Sequence, residues 1–174
     1  MSNRRACFVF VFCWFVGLTT VARAVAQDTS TPEERSRWVE VTRKLEMQPF
    51  DKDTVKQGEW ALKRIIEVHD VHVPPCPSIL GGFLGAKYKF KGEITRQLML
   101  ASASYIIEHP DTANDQRALN LSALESVLKT YRSMVAAEPK AKSKELSEIA
   151  QKQDEGKLAE YVAGTSCSSG SGGQ

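Results

Sequence analysis

The sequence predicts an all-α protein, a small antiparallel bundle of four to five helices with one long Pro/Gly-containing loop. Three observations carry that expectation. Apolar residues recur at helical spacing in five separate stretches, their ends are marked by Asp, Ser, Thr and Pro, and alternating runs are confined to Val71-His72-Val73 and Lys87-Tyr88-Lys89-Phe90-Lys91. The chain has 174 residues, 42% hydrophobic and 25% charged, enough for one domain. This composition excludes collagen, extensive disorder and disulfide-dense scaffolds.

The first segment reads as an address. Arg4 and Arg5 precede the apolar run Cys7 to Leu18, and Ala24-Val25-Ala26 supplies the small-x-small pattern of a signal peptidase site. A run of roughly a dozen residues makes about 18 Å of helix, short of the ~30 Å hydrocarbon layer. A cleaved secretory signal over residues 1–26 is therefore expected, with export by the general secretory route to the periplasm or the exterior and no transmembrane anchor after cleavage. The mature chain would begin at Gln27, with 20 Lys and Arg against 21 Asp and Glu; the slight basicity of the whole chain belongs to the signal. Nothing global then favours nucleic acid as a partner.

The helical domain is expected over residues 27–163. Its first helix opens at Thr31-Pro32-Glu33-Glu34, a capping box with proline in the first turn, carries Trp38, Val41 and Leu45 on one face, and ends at Gln48-Pro49. The second is capped at Asp51-Lys52-Asp53 and places Val55, Leu62, Ile65, Ile66 and His69 on a broad face; Gly58 weakens it by about 1 kcal/mol unless close packing requires it. From Asp70 to Lys91 helical periodicity is lost to Pro74-Pro75-Cys76-Pro77 and to Gly81, Gly82 and Gly85. So many large apolar groups (Ile79, Leu80, Phe83, Leu84, Tyr88) predict local turns folded over the core. The third helix runs from about Gly92 to Glu108, with small Ala101 to Ser104 permitting close approach. Asp111 or Thr112 is expected to cap the fourth, whose face is Ala118, Leu121, Leu124, Val127 or Leu128, Tyr131 and Val135. The fifth spans about Ser143 to Asp154, followed by an apolar turn at Leu158, Tyr161 and Val162. Residues 164–174 read as a disordered Ser/Gly tail.

Chemistry is sparse. No Gly-x-Ser-x-Gly elbow, phosphate loop, His-Glu-x-x-His or dinucleotide fingerprint occurs, so the sequence leans away from an enzyme and no cofactor is expected. His69, His72 and Cys76 are the types that bind zinc or copper, but His69 and His72 share a face only if the helix continues through them. They define the alternative, a metal- or thiol-dependent enzyme or redox protein. Cys76 and Cys167 are the cysteines left after cleavage; a bond between them would close a loop of about 90 residues, worth ~4–5 kcal/mol in the chain-entropy model. An intermolecular bridge, a buried free Cys76 and a reactive thiol are the other outcomes.

Lys87, Tyr88, Lys89, Phe90 and Lys91 form the most distinctive surface candidate, three ammonium groups alternating with two rings. The rings are expected to anchor the loop and the lysines to stay solvated. A second set, Lys140, Lys142 and Lys144, reads as a solvated face. The function expected is non-catalytic binding or scaffolding in the cell envelope, with a protein or a cell-envelope polymer as partner and the stretch from Val71 to Phe90 as contact region.

Overall fold

The computed structural model describes residues 28–74, 76–165 and 167. The signal expected over residues 1–26 lies outside them, as does most of the tail expected as disordered over residues 164–174; of that tail Gly164 ends the last helix and Cys167 is held in a disulfide, against the expectation. The described residues are all-helical, with no strand among them. The α-helices are α1 (Pro32–Met47), α2 (Lys52–Glu67), α3 (Lys91–Glu108), α4 (Gln116–Ala137), α5 (Lys144–Asp154) and α6 (Leu158–Gly164), with 3-10 turns at Pro77–Gly85, Pro110–Thr112 and Pro139–Ala141. No helix among the described residues is long and apolar enough to cross a membrane.

Local chemistry sets most boundaries. The Thr31 hydroxyl accepts from the Glu34 backbone N–H at 3.2 Å while the Glu34 carboxylate accepts from the Thr31 N–H at 2.9 Å, the reciprocal pair that opens α1. Asp51 opens α2 by accepting from the Thr54 N–H and hydroxyl, both at 2.8 Å. The cap of α4 differs from expectation. Pro110-Asp111-Thr112 closes into a 3-10 turn, and Asp115 caps the helix instead, accepting from the N–H groups of Arg117 and Ala118. The apolar turn expected after α5 is the helix α6.

The core has two parts that share α3. Ile94, Leu98 and Ala101 pack with α4, α5, α6 and the 3-10 segment, whereas Leu100 and Ala103 pack with Trp38, Val41, Leu45, Ala61 and Ile65 of α1 and α2. Because α3 is covered on two sides, its small residues are buried: Ala101, Ser102, Ala103 and Ser104 all lie inside. Ser102 satisfies itself by donating to the Leu98 carbonyl at 2.9 Å.

The buried face of α2 also departs from expectation. Thr54, Gly58, Ala61 and Ile65 face inward, and Ile66 is 70% exposed. The helix ends at Glu67, so His69 stands beyond it in solvent instead of on its inner face. The selector is size: α2 approaches α1 so closely that a Cβ on Gly58 would meet Leu45 Cδ1 at 2.8 Å. A lattice of charges ties down the chain's entry. Arg64 donates to both carboxylate oxygens of Asp28, at 2.6 and 2.8 Å, and to Glu34 at 2.7 Å, while Asp70 accepts from Arg35 at 2.6 Å and from the Ser30 N–H and hydroxyl.

The Gly58 contact reverses the effect that helix propensity alone would have. Gly58→Ala is expected to destabilise by about 1–3 kcal/mol in denaturant unfolding, because Leu45 must leave its packed rotamer. A gain near the ~1 kcal/mol that alanine brings to an exposed helix site would contradict the close packing.

Candidate basic binding face

The segment between α2 and α3 folds as a platform over the core. Pro77–Gly85 makes two 3-10 turns broken at Gly81, whose φ of 57° lies in the left-handed region that glycine tolerates. Ile79, Leu80 and Phe83 are fully buried, and the Tyr161 hydroxyl donates to the Ile79 carbonyl at 3.1 Å. Leu84, expected among the core residues, is 39% exposed.

Below the lysines lies an aromatic chain. The Tyr88 ring meets Phe83 edge-on with centroids 5.1 Å apart and Phe90 at 5.7 Å, and Phe90 meets Phe50 at 5.2 Å. Phe90 is 5% exposed, so its ring offers nothing to a ligand. The Tyr88 hydroxyl donates to the Ala141 carbonyl at 2.7 Å, across 53 residues of sequence. Burial pushes the Tyr88 hydroxyl up to about 12, with the negative charges of ionised Tyr131 and Glu93 acting in the same direction.

The lysines separate into two kinds. Lys87 and Lys89 are exposed, and the Lys89 ammonium sits 4.9 Å from the Phe90 ring centroid. Lys91 is half-buried, its ammonium donating to the Leu84 carbonyl at 2.6 Å, which staples the end of the 3-10 turn to the start of α3. Sequence reading missed what Tyr88 brings alongside. The Pro139–Ala141 turn carries Lys140 and leads into Lys142, both exposed. Among the described residues, Lys87, Lys89, Lys140 and Lys142 have no carboxylate within ion-pair distance, whereas Lys129, Lys144 and Lys157 pair with Glu46, Glu148 and Glu155.

Cys76 and Cys167 form a disulfide, with Cα atoms 5.6 Å apart and 91 positions of separation. It fastens the chain beyond α6 to the start of the 3-10 segment, and the Asn120 amide donates to the Cys167 sulfur at 3.3 Å. Cys76 therefore has no thiolate to offer a metal or a substrate. His69 and His72 are both exposed on non-helical chain, and among the described residues no three His, Cys, Asp or Glu side chains gather in a metal-holding group.

A cleft of about 460 Å³ between α1, α3 and α4 is another concave feature, lined among others by Thr42, Arg43, Ser104, Glu108, Ser126 and Lys129. Its polar groups are engaged with one another. Ser104 donates to Thr42 at 2.9 Å, Thr42 donates to the Trp38 carbonyl, and the buried Gln97 amide donates to Ser126 and to the Thr42 carbonyl. Arg43 pairs with Glu108 across its mouth. This network joins three helices and spends Thr42, Ser104 and Ser126 on contacts between them, although the buried Gln97 Oε1 keeps no partner; the lysine face, whose cations have no carboxylate within ion-pair distance among the described residues, is taken as the candidate.

No protein-family model matches the chain, no curated protein matches it, and no solved structure matches it.

Three measurements check this geometry. A folded-state Tyr88 above its unfolded value adds stability that is complete below pH 10 and lost as pH rises through about 12. Spectrophotometric titration should therefore show a tyrosine ionising near pH 12 that is missing from Tyr88→Phe; loss of a transition near 10 instead would place the ring in water. Replacing Cys76 and Cys167 by serine is expected to lower unfolding free energy by about 2–5 kcal/mol, and thiol titration of denatured, unreduced protein comprising residues 27–174 should find no free thiol.

Proposed function

We propose that the protein is an exported, non-catalytic binding protein of the cell envelope, sent by the general secretory route to the periplasm or exterior, that captures an acidic partner on the Lys87–Lys89 surface. In this reading α1 to α4 are the trunk of a small helical bundle and the segment from residue 71 to 90 is its presenting surface. The carrying observation is the division of labour within five residues: the rings of Tyr88 and Phe90 go into the aromatic cluster, while Lys87 and Lys89 remain exposed and, among the described residues, without an acidic partner. A rigid backing matters because an ammonium on an ordered segment loses less conformational freedom on capture than one on a loose loop. The partner's acidic surface belongs to a protein or to an envelope polymer.

The export signal of residues 1–26 supports delivery, and a disulfide agrees with an oxidising compartment. Lys91 is set apart from the capture role, since its ammonium is committed to Leu84.

The double variant Lys87→Gln/Lys89→Gln separates binding from folding. Its Tm should match that of the parent, as exposed substitutions away from packing change stability by less than about 0.5 kcal/mol. Its capture of partners from a native envelope extract should fall. Parallel loss of Tm and capture would make the segment structural, and undiminished capture would remove it from the interface.

A further inference from the structure

The groove between α4 and α5 encloses about 460 Å³ and differs in character from the α1–α3–α4 cleft. Its apolar lining is Tyr131, Val135 and Ala136 of α4 with Ala150 of α5. Tyr131 and Val135 stand one turn apart on the helix, and the two alanines leave open the space that longer side chains would fill. Tyr131 and Ala150 are buried, Val135 is half-buried and Ala136 is exposed, so the floor is packed while one side is open to solvent.

Of the polar side chains in this lining, all but one are engaged. The Tyr131 hydroxyl accepts from the Ser143 N–H at 2.9 Å, Ser147 donates to the Ser143 carbonyl at 2.6 Å, and the Gln151 amide donates to Glu155 at 2.9 Å. Arg132 donates to Asp154 at 2.7 Å, which cancels both charges. The Lys142 ammonium has no hydrogen-bond or ion-pair partner among the described residues, whereas the neighbouring Lys144 pairs with Glu148. The lining therefore carries one surplus positive charge beside an apolar floor.

We infer that the α4–α5 groove binds a small amphipathic monoanion, its alkyl chain laid along Val135, Ala136 and Ala150 and its carboxylate or sulfate head on the Lys142 ammonium. The inference does not depend on the capture role given to Lys87 and Lys89. The size is that of a small-molecule site, which spans roughly 300–1,000 Å³. A sugar does not suit it, because hydroxyl groups would leave water for walls whose polar groups are already spent. A phosphate monoester does not suit it either: its second negative charge would find no counter-ion in a lining that also holds Asp154. A single charge on an apolar body matches both features, and neither feature alone would select it.

The test uses protein comprising residues 27–174 with its disulfide intact, titrated calorimetrically with octanoate, octyl sulfate, octyl phosphate and octanol, all below micelle-forming concentrations and at about pH 8, where the phosphate is a dianion. The parent should bind octanoate or octyl sulfate roughly threefold to fivefold more tightly than octanol, the range of an exposed ion pair, and Lys142→Gln should erase that advantage. Which of the two monoanions binds better assigns the head. Octyl phosphate should gain nothing over them. Ala136→Trp, at an exposed position, fills the groove and should abolish binding of all four at an unchanged Tm; if that variant fails to fold, amide shifts in an NMR titration of the parent take its place and must concentrate on Val135, Ala136, Lys142 and Ala150. Lys87→Gln/Lys89→Gln should leave every affinity as in the parent, which keeps this site distinct from the capture surface. No binding of either monoanion, an advantage that survives Lys142→Gln, undiminished binding by folded Ala136→Trp, shifts centred elsewhere, equal loss with the Lys87/Lys89 pair, or tighter binding of octyl phosphate overturns the inference.

Discussion

Burial of Phe83, Tyr88 and Phe90 as one aromatic chain is the constraint on which the rest of the arrangement turns. A segment that includes Pro74, Pro77 and three glycines cannot continue a helix, yet it carries more apolar surface than solvent would tolerate. Folding it onto α4 and α5 resolves that conflict. Phe83 fills the centre of one core, Phe90 closes its edge and starts α3, and Tyr88 spans the gap to Ala141. The lysines between the rings are then held outward by alternation. The disulfide acts on the same segment from its other end, pinning Cys76 to the chain beyond α6.

The second organising element is α3, which serves two cores at once. Leu98 and Leu100 point into different clusters, and the Ala101–Ser104 run lets α1 and α4 approach it. Close approach brings polar groups inside, and the seam of Thr42, Gln97, Ser104 and Ser126 is the result. Buried hydroxyls and an amide cost free energy unless they find partners; here the hydroxyls and the Gln97 amide nitrogen find one another, while the Gln97 Oε1 stays buried without a partner. That accounts for a cleft whose lining looks like a site yet whose hydrogen bonds already run between the helices.

Much of this was legible in the chain because it is local. Thr31 with Glu34, Asp51, Ser143 and the proline-marked ends announce helix boundaries through hydrogen bonds within four residues, and the fate of Tyr88 and Phe90 follows from alternation. Where a neighbour decides, sequence reading failed. Asp111 and Thr112 are as good a cap as Asp115 until Pro110 is seen to make its own turn. Ile66 outranks Gly58 in hydrophobicity, but only Gly58 lets α2 reach Leu45. The meeting of Tyr88 with Ala141, 53 positions apart, is encoded by no spacing rule, whereas the Cys76–Cys167 bond, 91 positions apart, is one outcome among several that the sequence names and is the one observed. The second lysine set is exposed, as its reading as a solvated face expects, and the alternative metal reading of His69, His72 and Cys76 loses its thiolate to the disulfide.

The aromatic residues of the segment before α3 are spent on fixing backbone whose Lys87 and Lys89 stay exposed and, among the described residues, without a carboxylate partner, which is the observation behind the proposed capture role. The most direct measurement is an NMR titration of the lysine side-chain ammonium and ε-methylene signals with a short acidic polymer. The account predicts that shifts concentrate on Lys87 and Lys89, with Lys91, Lys129 and Lys144 nearly still. Shifts spread evenly over all lysines, or centred on Arg43 and Lys129 at the α1–α3–α4 cleft, would contradict it.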